Sequence, residues 1–449
     1  MPVRALAHVV WLLQVLERLA QAVALELADK DLFYFDTTEP LDPLARYLHY
    51  EQAFLMGDLD PAFSTRGIFE LRMAIKSPQQ EWELQWGRQA LQTYRPDWAL
   101  TTDLQWRYCF LVRLDVGYME PTYSSYPRTM DQVLSGGGEC GPRAWFGRFM
   151  CQAFGIPTWG YKQVGHAAMS HWTENGWVSC LGAGFPYAFW EDRCGLDFFL
   201  ETQVRDQLPT PLAYLQKVMR LEWLALYQKE SNHSILGDCA YDPAAPWYAL
   251  SLAHREILAA ASRNSGSQHC QKYPRSTRTV PKILAMQRAP SQSIGVDNVP
   301  LRQGGICVPA SATITEPSKN VIVMPSFTGG NQVFLGTDAI IDFALKPHWL
   351  PVSPRKYKMT VKVATAHVKD TALLVTVKQK KIGDQHKDGD SSYRLRLPYT
   401  KALWEETESV EITLCSSCAS FCLQREWTEM YGISLKEIRL VPCEPQPTT

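Results

Sequence analysis

The spacing of apolar residues changes along the chain, and that change constrains the fold more than any single motif does. From Ala5 to about Thr93 apolar residues recur at helical intervals, as in Leu44, Tyr47, Leu48, Ala53 and Phe54, or Trp82, Leu84, Trp86 and Leu91, with long charged residues between them. After about Gly305 the period is two. Met359, Val361 and Val363, then Leu373, Val375 and Val377, then Tyr393, Leu395 and Leu397, then Val410, Ile412 and Leu414, then Ile433 and Leu435 all alternate with polar neighbours. A face built at one period scatters its apolar residues if the backbone takes the other, so the two stretches must fold as different kinds of layer. Residues 100 to 260 mix both signals and end in the helical-looking segments Pro211 to Gln228 and Trp247 to Ala261. Between Ser262 and Gly305 the composition shifts to Ser, Arg, Gln, Gly and Pro, and no periodic face survives.

These shifts give four segments: N-terminal helices over 1–95, a mixed core over 96–261, a linker over 262–308 and an all-β domain over 309–443. A chain of 449 residues exceeds what one core usually serves. The expected class is α+β followed by an antiparallel, jelly-roll-like β-sandwich, with turn clusters such as Gly383 to Ser392 dividing the strands.

Formal charge excludes one class of partner. With 45 Lys and Arg against 46 Asp and Glu the net charge is -1, so no global field draws in nucleic acid or anionic lipid. The apolar run Ala5 to Leu16, with Ala20-Gln21-Ala22 after it, has a weak signal-like outline. Leu12, Leu13, Leu16, Leu19 and Val23 also fit one face of an amphipathic helix, which is the preferred reading. No other stretch is long and apolar enough to span a bilayer. A soluble protein is expected. Its compartment stays open, since the 12 cysteines suit either redox environment and the sequon Asn232-His233-Ser234 is short enough to arise by chance.

One segment carries chemistry. Ser135-Gly136-Gly137-Gly138-Glu139-Cys140-Gly141-Pro142 reads as a glycine-rich loop entering a helix, which Trp145, Phe149, Ala153 and Phe154 continue and Gly155 with Pro157 ends. Cys140 then stands at a helix N-terminus, where unpaired N–H groups and the helix dipole favour the thiolate. A thiolate needs a proton shuttle. His166 and His171 in Gly165-His166-Ala167-Ala168-Met169-Ser170-His171-Trp172 supply two candidates on a strand running into the hairpin signal Asn175-Gly176.

The stretch from about Thr129 to Gly182 resembles the core of the transglutaminase-like superfamily of cysteine enzymes. The resemblance rests on Gly138-Glu139-Cys140-Gly141, Phe154-Gly155-Ile156-Pro157, Gly160-Tyr161, Gly165-His166-Ala167 and Gly176-Trp177. It implies a papain-like fold with Cys140 as nucleophile and His166 as base, His171 being the alternative base. The implied reaction is attack on an amide carbonyl, giving a thioester that water or an amine resolves, so a protein or peptide is the implied substrate and no cofactor is needed. Family members usually carry an Asp shortly after the tryptophan of the second hairpin strand. Here that stretch reads Trp177-Val178-Ser179-Cys180-Leu181-Gly182 and holds no acid. Glu174, Asp192 or a backbone carbonyl are the substitutes to orient the imidazole.

The remaining candidates are weaker. His171 also fits a hydrogen-bonded strand residue, Cys151 and Cys180 fit buried packing positions, and Trp172 and Trp177 fit a tunnel wall or the core. Cys415, Cys418 and Cys422 approach a zinc spacing but lack a fourth ligand nearby, so a turn or a disulfide is expected and no metal is assigned. The β-domain resembles jelly-roll modules that accompany carbohydrate-active enzymes, carried by Tyr357 to Val361, Leu397-Pro398-Tyr399-Thr400, Leu403-Trp404 and Ile433 to Ile438. That resemblance makes carbohydrate a candidate ligand, with Tyr399 and Trp404 as the stacking aromatics.

Overall fold

A computed structural model describes residues 2–27, 40–124, 128–163, 165–173, 176–182, 189–190, 193–194, 211–230, 245–264, 299–301, 305–312, 320–345, 350–368, 371–379, 390–425 and 431–443. The chain is α+β, with helices first and antiparallel sheets in its C-terminal part.

The N-terminal run forms one helix, α1 (Pro2–Leu27), which passes the length and apolarity test for a membrane span. Its buried stripe is Val15, Leu19, Ala22, Val23 and Leu27, in the same core as buried residues of α2 (Pro43–Leu55) and α3 (Ile68–Ile75). Leu13, expected on that stripe, is exposed together with Leu6, Val9 and Val10. Polar ties fix α1 as well: Arg18 donates to the carbonyls of Ser64 and Arg66, and Glu26 pairs with Arg72 and Lys76. Helix α2 starts where Asp42 accepts from the Leu44 amide and Pro43 supplies a preset φ. Its fully buried Arg46 donates to the carbonyls of Ile75, Ser77 and Gln79 and to the Glu81 carboxylate, so the cation stays solvated by protein.

Further helices follow: α4 (Glu81–Tyr94), the short α5 (Pro96–Leu100) and α6 (Leu111–Leu114), α7 (Met130–Gly136) and α8 (Cys140–Ala153). The centre of this half is α8. Phe146, Phe149, Met150, Cys151 and Ala153 are inaccessible to solvent, and its last carbonyls accept hydrogen bonds from Tyr50 Oη and Arg88 Nη1. Helix α8 lies on a sheet of order β3-β2-β1-β4-β5, with β1 (Thr158–Gln163), β2 (His166–Thr173), β3 (Gly176–Cys180), β4 (Phe189–Trp190) and β5 (Arg193–Cys194). The expected hairpin forms with Trp172 opposite Trp177 and Thr173 opposite Gly176. Residues 174 and 175 between them lie outside the described residues, as do Asp192 and Asn232. Helices α9 (Pro211–Tyr227) and α10 (Pro246–Asn264) match the two expected helical segments and are joined by an Arg255–Glu222 ion pair.

The C-terminal part is a sandwich. One sheet has the order β10-β16-β12-β13, formed by β10 (Ile340–Ala344), β12 (Thr371–Gln379), β13 (Ser391–Leu397) and β16 (Cys418–Arg425). The facing sheet follows β14-β11-β17-β7-β6, formed by β6 (Val299–Leu301), β7 (Gly305–Pro309), β11 (Arg355–Thr365), β14 (Glu405–Glu406) and β17 (Ile433–Pro442). On it β15 (Val410–Leu414) pairs with β11, and β9 (Asn331–Leu335) pairs with β17 and with β8 (Val321–Pro325). The alternating residues read from the sequence bury as one inner layer: Met359, Val361, Val363, Leu373, Val375, Val377, Leu395, Leu397, Ile412, Leu414 and Leu435. One strand and all but the last residue of a second fall inside the 262–308 segment expected as linker. Val299–Leu301 and Gly305–Pro309 pair with each other, and the second pairs with β17, so the sandwich takes its first strands from that segment.

The helical half and the sandwich share a core. Met324, Phe334, Ala364, Ala366 and Ala402 belong to the same buried cluster as α1, α4 and α8. Tyr94 Oη donates to the Gly432 carbonyl and to Asp115, Ser434 Oγ donates to the Tyr94 carbonyl, and Gln332 donates to the Thr93 carbonyl.

Candidate active site

Cys140 is the first residue of α8, half-buried, preceded by Glu139 in extended conformation. The approach loop needs its glycines. Gly137 has φ +73 and a Cβ there would stand 2.8 Å from the Gly117 carbonyl oxygen, while one on Gly138 would stand 2.5 Å from Pro142 Cβ. Around Gly141, by contrast, a Cβ would meet nothing within 4 Å, so the helix is open on the side of the residue that follows Cys140. Arg143 anchors the first turn by donating to the carbonyls of Val112 and Val116. A cavity of about 190 Å³, lined by Met119, Thr122, Ser135, His367, Val368 and Tyr431, borders this loop where the two halves meet, with the His367 and Tyr431 rings stacked 3.6 Å apart.

His166 opens β2 and is partly exposed. Its Nε2 lies 2.7 Å from the carbonyl oxygen of Leu181. Leu181 follows the second hairpin strand and has φ +62, a conformation that bulky residues seldom adopt. The backbone carbonyl thus engages the imidazole in the stretch that contains no acid. Donation from Nε2 to that oxygen leaves Nδ1 as the free base; the tautomer is assigned from this contact.

Two landmarks align α8 and β2. A Cβ on Gly147 would collide with Met169 Sδ, and Cys151 near the end of α8 contacts Cys109, which clusters with His171 near the end of β2. Cys140 lies seven residues before Gly147, about 10 Å along a helix, and His166 three before Met169, about 10 Å along a strand. Both therefore sit at the same end of the pair. Among the described residues no hydrogen bond joins the Cys140 thiol to the His166 ring.

The alternative base is placed elsewhere. His171 lies five positions after His166 on a regularly paired strand, an odd step, so the two project to opposite faces. It is 3% exposed and sits with Cys109 and Cys180, near Cys151, which is eleven residues and roughly 16 Å along α8 from Cys140. That distance removes His171 as a base for Cys140. Its Nε2 lies 2.8 Å from the Gln105 carbonyl oxygen and its Nδ1 3.2 Å from that of Trp172.

The other sequence candidates resolve by contact. Trp172 is buried with the Arg66 guanidinium over its ring, and Trp177 packs at the edge of a small cluster of Met73, Trp159 and Ala168. Tyr399 and Trp404 are used within the protein. Tyr399 Oη donates to the main-chain oxygen and carboxylate of Asp131, burial pushes its phenol up to about 12, and Trp404 packs against the shared core. Cys415 and Cys418 face each other across a turn at 3.7 Å, whereas Cys422 sits four residues further along β16 beside Asp342. Sequence reading did not bring Cys109 into any site. Its signal was only a buried-type residue in an irregular stretch.

No family model matches the chain, and no curated protein matches it. Among solved structures it is similar to a Cry1Da tryptic core variant of Bacillus thuringiensis, at 16% identity over 30% of this chain and 23% of that one, with TM-score 0.22. The chain therefore spans about a quarter of that structure. It is also similar to the C-terminal CBM6 of LamC, a marine laminarinase from Zobellia galactanivorans, at 16% identity over 30% of this chain and 98% of that one, with TM-score 0.22. A third is an isomalto-dextranase of Arthrobacter globiformis T6 complexed with panose, at 20% identity over 31% of this chain and 24% of that one, with TM-score 0.25. Overlaps at these scores assign no function to this chain, and the sandwich is defined by its own strand pairing.

Proposed function

We propose that the chain is a transglutaminase-like thiol enzyme with a papain-like core, acting at an amide carbonyl. In this reading the Cys140 thiolate attacks the carbonyl carbon, His166 passes the thiol proton to the leaving amine, and water or a second amine resolves the thioester. The acyl donor is a protein or peptide. The observation that carries the reading is the His166–Leu181 contact, a carbonyl engaging the imidazole at the same end of the α8–β2 pair as Cys140. The open space beside Gly141 and the first-turn position of Cys140 support it.

A second reading is a scaffold without turnover whose sandwich binds a ligand or carbohydrate. It is favoured by the same contact seen otherwise, since a carbonyl stabilises an imidazolium less than a carboxylate does. Alkylation of wild-type protein and Cys140→Ser by iodoacetamide across pH separates the two. An activated Cys140 reacts well below the free-thiol range of about 8.5, and His166→Ala moves the profile up towards it. A Cys140 profile that tracks free cysteine in the wild type sinks the enzymatic reading.

A further inference from the structure

At the end of α8 away from Cys140, three elements bring sulfur and imidazole together in the interior. Cys109 precedes α6, Cys180 ends β3 and His171 lies in β2; their ligand atoms all fall within 4.8 Å of one another, and the residues are 0%, 1% and 3% exposed. Cys151 of α8, also inaccessible, has its thiol near enough to that of Cys109 to influence it. We propose that Cys109, Cys151, Cys180 and His171 form a closed binding site for a thiophilic divalent cation, zinc by chemistry, that ties the segment before α6, α8 and the β2–β3 hairpin together.

The donor set is the one structural zinc sites use, three thiolates and one imidazole with no place left for substrate. Tetrahedral Zn–S bonds of about 2.3 Å set sulfurs about 3.7 Å apart, so Cys109, Cys180 and His171, already within 4.8 Å of one another, need contract by only about 1 Å, while Cys151, outside that group, must swing in from its place near Cys109. The polar contacts aim the three donors at one spot. His171 Nε2, Cys180 Sγ and Cys109 Sγ converge on one oxygen, the Gln105 carbonyl, at 2.8, 3.4 and 3.7 Å. Both ring nitrogens of His171 face carbonyls, which an imidazolium satisfies with two N–H groups, whereas a neutral ring has one and leaves the other nitrogen's lone pair available. With a cation bound, Nδ1–H keeps its contact to the Trp172 carbonyl and Nε2 turns its lone pair to the metal, an outer-shell support common to such histidines.

Binding balances as follows in protons and charge: three thiols release three protons to solvent, the imidazole binds neutral, and three thiolates around a dication leave one net negative charge. Neighbouring thiols and burial raise the Cys109 and Cys180 thiols above their ordinary range, and a bound dication reverses this by direct coordination. The site is independent of Cys140, so it stands or falls apart from the proposed activity.

Metal analysis of the full chain, purified reduced and dialysed, tests the site. We expect one equivalent of zinc per chain, retained in Cys140→Ser and lost in Cys109→Ser and Cys180→Ser. Should those variants fail to fold, cobalt titration of metal-stripped wild-type protein gives an independent answer: thiolate-to-cobalt charge transfer with intense visible bands marks a tetrahedral sulfur site. The proposal is overturned by folded wild-type protein that holds no zinc and gives no such bands. It is equally overturned by zinc retained in both cysteine variants, or by a native Cys109–Cys180 disulfide.

Discussion

Asp115 is the group whose ionisation should most affect cohesion between the two halves. It is 2% exposed; Oδ1 accepts from Tyr94 Oη at 2.8 Å, and Oδ2 has no hydrogen-bond partner among the described residues. Burial pushes its carboxyl up to about 6 from 3.8, against the lowering pull of the Arg95 charge and the Tyr94 hydrogen bond. A carboxyl raised in the folded state binds its proton more tightly there than in the unfolded chain. Its contribution is therefore most favourable below about pH 4, declines as pH rises through about 6 and is flat above that. The shift of about two units at about 1.4 kcal/mol each gives a loss of roughly 3 kcal/mol across that window. Asp115→Asn keeps the acceptor for Tyr94 and removes the ionisation. An unpaired amide N–H costs about 1–3 kcal/mol at every pH, so the discriminating quantity is the change between pH values, not the absolute stability. Denaturant unfolding of both proteins near pH 4 and near pH 7 should show the variant gaining about 2–3 kcal/mol on the wild type between the two. A gain below ~0.5 kcal/mol, or a change of opposite sign, would refute a buried, ionisable Asp115.

Two further substitutions test how the site is positioned. Gly147→Ala drives a methyl into Met169, with Val112 Cγ2 at 3.2 Å, and should cost about 1–3 kcal/mol in denaturant unfolding while slowing Cys140 alkylation as α8 lifts from β2. Unchanged stability and reactivity would mean that Met169 simply moves aside. Tyr399→Phe removes the hydrogen bonds to Asp131 and should lower stability by about 0.5–1.5 kcal/mol with no ligand present, whereas a tyrosine reserved for a sugar would leave the unliganded protein unaffected.

Much of this architecture is legible in the sequence because periodicity is a local property. The alternation of Met359, Val361 and Val363 places all three inside the sandwich, and the spacing of Leu84 and Leu91 places both under α4. Cys140 at the head of a helix follows from its glycines and Pro142, whose backbone preferences act within a few residues. The stripe on α1 was legible only in part: Leu13 satisfies the spacing, but among the described residues it is exposed.

Which strands belong to the sandwich, and what the histidines touch, are settled by contacts between distant residues. Val299–Leu301 and Gly305–Pro309 are too short to show a period; the second becomes a strand because β17 offers it an edge, and the first because the second does. The sequence by itself determined where helices give way to strands and which thiol heads a helix, since those depend on neighbours along the chain. Only the tertiary structure decided that a Leu181 carbonyl meets His166, and that His171 turns instead to Cys109 and Cys180. The physical reason is the pleat: the histidines stand five positions apart on one strand, an odd step, so one faces the open end of the site and the other the sealed interior.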